Sequence, residues 1–166
     1  MAQVTLGGNP VNTSGDLPAA GSPAPGFTLT KGDLSPVTNT DLAGQNVVLN
    51  IFPSIDTATC ATSVRTFNEK AADVENTTVV CVSADLPFAQ GRFCGVEDIE
   101  NVVTASTFKN PEFLTDYGVL FTDGKLEGLA ARAVVVIDGA GNVSHTELVS
   151  EVGHEPDYDA AMGALS

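Results

Sequence analysis

A chain of 166 residues with 43% hydrophobic content can bury one ordinary core, so we expect a single domain over residues 1–166. Its 7 Lys and Arg against 21 Asp and Glu give a formal charge of −14, which repels nucleic-acid phosphates and anionic lipid surfaces, so neither is an expected partner. The amino terminus has no basic region followed by an apolar run, and no apolar stretch approaches the ~20 residues of a membrane span, so we predict a soluble, cytoplasmic protein.

The predicted elements begin with a small hairpin over residues 3–13, whose turn is GGNP, and we treat residues 1–15 as an N-terminal hairpin extension. A linker, LPAAGSPAPG, follows it. The predicted strands cover residues 27–30, 46–52, 77–83, 133–137 and 142–149. The predicted helices cover residues 59–74, 86–92, 111–117 and 157–165. This alternation indicates an α/β fold with a mixed central sheet flanked by helices.

The stretch FPSIDTATCATSVRTF, residues 52–67, places Cys60 after a buried strand, where a helix begins. Thr57 is the candidate N-cap because the apolar residues beyond it recur at helical spacing, which puts Cys60 at N3, where a cap hydroxyl normally bonds the backbone N–H. Unpaired N–H groups and the positive end of the helix dipole stabilise a thiolate there. On position alone, a small buried hydrophobe is an equal alternative.

Cys94 follows the short helical pattern DLPFAQGRF, in which Pro87 belongs near the start and Gly91 weakens the end. Such a segment can open locally at low cost, which suits a second thiol that must travel to meet Cys60. The spacing alone does not show that the two sulfurs approach each other.

The third cysteine, Cys81, lies inside the strand VVCVS, so we predict inert packing in the core. The two histidines lie far down the chain, and no CxxC or HxxxH spacing is present, so no zinc site is predicted. An odd number of cysteines also argues against a structural disulfide framework.

Four segments, PSIDTATC, SADLPFAQGRFC, LAARAVVVID and EPDYDAA, together resemble the thiol peroxidase branch of the peroxiredoxins, the atypical two-cysteine class. The first matches the PxxxTxxC signature, and the resemblance covers nearly the whole chain, including the hairpin. It implies a thioredoxin-like fold and a homodimer. It also implies thioredoxin as the reductant, with neither a metal nor an organic cofactor.

The resemblance also implies a set of site residues. Cys60 would be the peroxidatic cysteine and Cys94 the resolving one, joined in an intramolecular disulfide. Thr57 would orient the peroxide and the sulfur, Pro53 would shield the thiolate, and Arg132 would supply a cationic donor. From the residues alone, Arg132 at the start of the strand AVVVI predicts only a side chain reaching out from a sheet edge, 72 residues from Cys60.

The activity implied is the reduction of hydrogen peroxide and organic hydroperoxides to water and alcohols, in antioxidant defence. One alternative is a thioredoxin-type disulfide oxidoreductase, but that chemistry normally uses CxxC at the helix start, and position 57 holds Thr. A second alternative, which stays open, is a redox sensor that uses a bond between Cys60 and Cys94 as a switch.

Overall fold

A computed structural model of the protein describes residues 1–165, so the predicted domain extends one residue beyond the described part. The strands are β1 (Gln3–Leu6), β2 (Asn9–Asn12), β3 (Thr28–Lys31), β4 (Pro36–Thr38), β5 (Asn46–Ile51), β6 (Thr77–Ser83), β7 (Val103–Ser106), β8 (Ala133–Ile137) and β9 (Val143–Leu148). The helices are α1 (Ala58–Ala71), α2 (Pro87–Val96), α3 (Glu112–Asp116) and α4 (Tyr158–Gly163). Within residues 1–165, no helix combines the length and apolarity that crossing a bilayer requires.

The central sheet is organised around β5, whose sequence NVVLNI is buried at every position. β5 pairs in parallel with β6 and antiparallel with β8, and β6 pairs in parallel with β7. The strand order is β4-β3-β7-β6-β5-β8-β9, and β1 and β2 form a separate two-stranded sheet. The predicted mixed sheet and N-terminal hairpin are therefore confirmed. The near-continuous apolar runs of β5, β6 and β8 are explained by cover on both faces.

Side chains alternate between the two faces of the sheet, and each face has its own core. On one face, Val48 of β5 belongs to a cluster with Val64 and Phe67 of α1. On the other face, Leu49 belongs to a cluster that includes Phe113 of α3 and side chains of the hairpin. The apolar stripe of α1 therefore fixes that helix on the sheet, with its first turn close behind the carboxyl end of β5.

Several boundaries differ from those predicted. α1 ends at Ala71 instead of residue 74, and α2 continues to Val96, so Cys94 lies inside the last turn of that helix and not after it. The strands β4 and β7 were not predicted, because runs of 3 and 4 residues are too short to show a period. β4 begins with Pro36, which an edge strand tolerates because no neighbour needs its N–H.

Candidate active site

Cys60 occupies the third position of α1 and is completely buried. Its sulfur accepts a hydrogen bond from Nη2 of Arg132, at 3.2 Å. Arg132 is only 2% exposed, and its Nε donates to the Val152 carbonyl at 2.8 Å, which fixes the guanidinium plane. A permanently charged guanidinium held against a sulfur stabilises negative charge on it, as a reactive thiolate requires.

The sheet brings this pair together. Arg132 directly precedes β8, and the antiparallel pairing of β8 with β5 sets Ala133 opposite Ile51. Arg132 therefore emerges at the edge of the sheet where the chain leaves β5 for α1. No local sequence pattern contains this relation, because it depends on a register between two strands far apart in the chain.

Thr57 is the N-cap residue of α1, as predicted, with an extended backbone at φ −95° and ψ 149°. The predicted hydrogen bond from the Cys60 N–H to the cap hydroxyl is wrong, since the Thr57 side chain caps no N–H of the helix. Its hydroxyl instead donates to the Ser54 carbonyl at 3.0 Å, and its own N–H donates to the same oxygen at 3.2 Å. The first-turn N–H groups of α1 are thus left for the sulfur or for a bound anion.

A cavity of about 260 Å³ lies at the N-terminus of α1. Pro53, Thr57 and Arg132 all line it. The other lining residues are Leu6, Ser54, Ala58, Thr59, Leu126, Leu129, Val152 and Gly153. Nη1 of Arg132 is buried and has no hydrogen-bond partner among the described residues. Arg132 therefore keeps one unused donor, and the cavity that this residue lines is largely apolar.

Cys94 stands apart from this arrangement. It is half-buried in the last turn of α2, and its sulfur lies 3.9 Å from the hydroxyl of Thr104 on β7. Partial burial raises the pKa of the Cys94 thiol. Cys60 and Cys94 are both free thiols, so the structure brings Arg132 to Cys60 but does not join the two cysteines.

Cys81 lies in the core, as predicted. It is fully buried in β6, and burial raises the pKa of its thiol to about 12. Its contact with a polar group is weak, a 3.7 Å approach from Nδ2 of Asn50. A thiol with this pKa is protonated at neutral pH and is a poor nucleophile. Among the described residues, no group of three or more His, Cys, Asp or Glu could hold a metal ion.

A polar network that the sequence analysis missed supports the loop before α1. The carboxylate of Asp85 accepts from the Ser54 hydroxyl at 2.8 Å, the Ile55 N–H at 2.7 Å and the Ser83 hydroxyl at 2.6 Å. The Ser83 hydroxyl in turn accepts from Nε2 of Gln90, on α2, at 3.0 Å. The position of Asp85 just beyond β6, where functional groups of α/β sheets collect, was the available signal.

Arg65 is exposed, as predicted for a solvated helix residue, but it also bridges two helices. Its guanidinium pairs with Glu97 at 2.7 Å and lies 5.7 Å from the centre of the Phe93 ring. Glu97 is the C-cap residue of α2. Because an exposed ion pair contributes little stability, this contact only lightly tethers α2 to α1.

Comparison with known proteins identifies the family. The family model described as Redoxin matches residues 19–162. The thiol peroxidase of Mycobacterium bovis is 59% identical over 165 residues, which cover 99% of each chain. A peroxiredoxin-like protein from Aquifex aeolicus superposes with a TM-score of 0.93 at 39% identity, covering 98% of this chain and 95% of that one.

The fold is also shared by more distant proteins. The thiol peroxidase from Chromobacterium violaceum superposes with a TM-score of 0.89 at 21% identity, covering 97% of this chain and 93% of that one. These likenesses confirm the predicted thioredoxin-like peroxiredoxin fold, with its mixed sheet and added hairpin. The chain therefore belongs to the redoxin family and is a peroxidase of the peroxiredoxin type, similar over its length to thiol peroxidases.

Proposed function

We propose that this peroxidase reduces hydrogen peroxide and organic hydroperoxides through Cys60, in antioxidant defence. The observation that carries the proposal is the 3.2 Å hydrogen bond from Arg132 to the Cys60 sulfur, beside the cavity that Arg132 also lines. A buried sulfur beside a fixed cation and a helix N-terminus is set up as a nucleophile and not as a packing group.

In the first step, the Cys60 thiolate attacks the terminal oxygen of the hydroperoxide. A sulfur–oxygen bond forms as the O–O bond breaks, so the sulfur is oxidised to sulfenic acid and the peroxide leaves as an alkoxide, or hydroxide, that takes up a proton. Nη1 of Arg132, which has no partner among the described residues, can donate to an oxygen whose charge develops. The Thr57 hydroxyl donates its hydrogen bond to the Ser54 carbonyl, so its oxygen is left to accept a hydrogen bond from the peroxide.

Cys94 then resolves the sulfenic acid. Its sulfur bonds to that of Cys60, water leaves, and an intramolecular disulfide forms before further oxidation to sulfinic acid. The position of Cys94, half-buried beside Thr104 on a helix with few buried side chains, means that α2 must open first. Its raised pKa supports the same order, since opening exposes the thiol to water and restores its thiolate character.

An external dithiol closes the cycle by exchange with the disulfide, and we propose thioredoxin as that reductant. A cycle that consumes dithiol equivalents belongs in a reducing compartment, so we propose the cytoplasm as the location. Neither a metal nor an organic cofactor enters these steps.

The cavity supports organic hydroperoxides as substrates. Its volume of about 260 Å³ is close to the lower end of the ~300–1,000 Å³ typical of ligand pockets, so it suits a small organic hydroperoxide. The side chains of Leu126, Leu129 and Val152 present apolar surface there. Burial of an apolar tail against them favours binding in proportion to the area removed from water.

We also propose that the protein forms a homodimer. The N-cap of α2 and the helix itself expose three large apolar side chains, Leu86, Phe88 and Val96, at 51%, 68% and 78%. Exposed apolar groups of this size on one element favour cover by a partner surface. Sedimentation analysis of the wild type and of Phe88→Ser tests this proposal, since a monomeric wild type would contradict it.

One assay tests the enzymatic proposal. Peroxide-dependent oxidation of NADPH is followed with thioredoxin and thioredoxin reductase, for the wild type and for Cys60→Ser. We expect sustained turnover by the wild type and none by the variant, because serine cannot form the sulfenic acid. Undiminished peroxidase activity in Cys60→Ser would contradict the proposal. A redox sensor without enzymatic turnover would instead show a single oxidation event and no sustained consumption of NADPH.

A further inference from the structure

The N-terminal hairpin forms part of the cavity at the N-terminus of α1. Leu6, the last residue of β1, lines that cavity together with Thr57 and Arg132, and it is itself only partly exposed. It packs against the core cluster that includes Val152, another residue of the same lining. The shape of the apolar side of the cavity therefore depends on where the hairpin sits.

Backbone hydrogen bonds dock the hairpin onto the segment that follows β9. The Thr5 N–H donates to the Ser150 carbonyl at 2.8 Å, and the Val152 N–H donates to the Thr5 carbonyl at 2.8 Å. The carbonyl of Val152 is also the acceptor for Nε of Arg132. The segment that carries the hairpin is thus the same one that fixes the guanidinium over Cys60.

Glu151 closes this contact with its side chain. One carboxylate oxygen accepts from the Gly8 N–H at 2.9 Å and from the Thr5 hydroxyl at 3.0 Å. The other accepts from the Gly153 N–H at 2.9 Å. The N–H donors of Gly153 and Gly8 lower the pKa of Glu151 to about 2, so the group is ionised and its hydrogen bonds are charge-assisted.

The turn of the hairpin is built to meet this carboxylate. Gly7 and Gly8 have φ of 58° and 84°, the left-handed conformation that a two-residue turn requires at both positions and that glycine adopts without strain. This conformation lets the Gly8 N–H reach Glu151. The hairpin is therefore held at its strand, through Thr5, and at its turn, through Gly8.

We infer that the hairpin determines specificity in the peroxidase reaction, with Leu6 contacting the apolar group of an organic hydroperoxide and Glu151 acting as the positioning residue that fixes Leu6. The inference rests on the proposed function of the cavity. Hydrogen peroxide carries no apolar group to meet Leu6, and it needs only Thr57, Arg132 and Cys60. The hairpin should therefore affect the reaction with bulky hydroperoxides and leave that with hydrogen peroxide unchanged.

The test compares two peroxides on the same protein. Rapid quenching and mass spectrometry give the rate constant for Cys60 oxidation by cumene hydroperoxide and by hydrogen peroxide, without any recycling system. We expect Leu6→Ala to lower the cumene hydroperoxide rate constant about tenfold, the low end for loss of an apolar contact to substrate. The hydrogen peroxide rate constant should stay within about twofold.

Three further variants separate specificity from structure. Glu151→Gln, which keeps one acceptor oxygen, should shift the ratio of the two rate constants in the same direction by about threefold. Leu6→Met keeps the side-chain volume and should restore the wild-type ratio. Gln3→Ala alters an exposed residue of the same hairpin, whose side chain donates to Asn12 on the neighbouring strand at the end away from the turn, and should change neither rate constant.

The outcomes are distinct. An unchanged ratio in both Leu6→Ala and Glu151→Gln, or an equal loss for both peroxides, would overturn the inference while leaving the peroxidase proposal in place. A wild type inert to both peroxides would overturn the proposed function and the inference with it. If Leu6→Ala does not fold, as judged by circular dichroism, the ratio in Glu151→Gln decides.

Discussion

The helices that carry Cys60 and Cys94 differ in how firmly the fold holds them. α1 has 14 residues and buries Cys60, Ala61, Ser63, Val64 and Phe67. α2 has 10 residues, and its buried residues are Pro87 and Gln90, neither of them a large apolar side chain. Full burial of a side chain such as Val64 or Phe67 stabilises by roughly 1.5–3 kcal/mol, so these two hold α1 by about twice this amount, whereas α2 contributes only the partly buried Phe93 to the same core.

The difference supports the proposal that the two thiols have different tasks. A nucleophile needs fixed partners, and Cys60 has them in Arg132 and the first turn of α1. A resolving thiol must move to its target, and an element with few buried apolar contacts opens at low free-energy cost. The hydrogen bonds of Gln90, which anchor α2, can break and re-form without exposing an apolar core to water. The comparison predicts that changes near Cys60 affect the first chemical step and changes in α2 affect the second.

The largest effect should come from removing the proposed resolving thiol. Cys94→Ser should form Cys60 sulfenic acid at the wild-type rate but lose sustained thioredoxin-linked turnover, because no disulfide forms for exchange. Trapping with dimedone and mass spectrometry measures the first step, and NADPH oxidation measures the cycle. Cys81→Ser is the matched control and should keep turnover. Sustained thioredoxin-linked turnover in Cys94→Ser would show that this thiol is not the resolving group.

Replacement of the buried cation should slow only the first step. Arg132→Met keeps an unbranched side chain but removes the donors to Cys60 and to the peroxide, so we expect Cys60 oxidation to slow by about 10²–10³-fold. Rapid-quench mass spectrometry measures it directly. Arg65→Met, on the exposed face of α1, is the matched control and should change the rate by less than about twofold. A similar rate in the Arg132 and Arg65 variants would remove Arg132 from the mechanism.

Removal of the Gln90 side chain, which anchors α2, should affect the second step, disulfide formation by Cys94, instead of the first. Nε2 of Gln90 donates to Ser83 and to the Ala105 carbonyl, each at 3.0 Å, and such bonds contribute roughly 1 kcal/mol apiece. Its Oε1 is buried without a partner among the described residues, so Gln90→Met also relieves a cost. We therefore expect a modest net effect, with α2 opening about fivefold more often.

Amide hydrogen exchange across α2 measures this opening, and the rate of disulfide formation after a peroxide pulse should rise by a similar factor. Arg92→Gln, on the same helix, is the control, because its 3.8 Å contact with Asp56 is exposed and contributes little. Faster exchange in Gln90→Met without faster disulfide formation would mean that opening of α2 does not limit resolution.

The sequence alone could place those site residues that depend on local patterns, but not those that depend on contacts between distant segments. The position of Cys60 at N3 of α1 follows from Thr57 and helical spacing, which are local. The contact with Arg132 depends on the register of β5 and β8, so from sequence only the family resemblance pointed to Arg132. The place of Leu6 in the cavity wall, and the contact of Glu151 with the hairpin, depend on how the hairpin docks, and no period or motif encodes either.

Local patterns also predicted the wrong end for α2, a helix with weak hydrophobic periodicity. The sequence DLPFAQGRF predicted a helix that stops before Cys94, because Gly91 weakens the pattern. The structure continues α2 to Val96, since the Gln90 side chain anchors the helix to the strands beneath it. A buried polar anchor carries no hydrophobic signal. α2, the helix that must open in the proposed mechanism, is thus also the helix whose end was predicted wrongly from the sequence.

The smallest effect concerns Cys81, which should affect stability but not turnover. Its pKa rises from about 9 in the unfolded chain to about 12 in the fold, so the folded state holds the proton more tightly. The raised pKa therefore adds to the free energy of unfolding, and this added stability is fully present below pH 9. It falls by roughly 1.4 kcal/mol per pH unit as the pH rises from about 9 towards 12. Urea unfolding at pH 8, 9 and 10 should therefore show a steeper decline for the wild type than for Cys81→Ser, whose hydroxyl does not titrate. Parallel declines would mean that the buried thiol does not couple folding to pH.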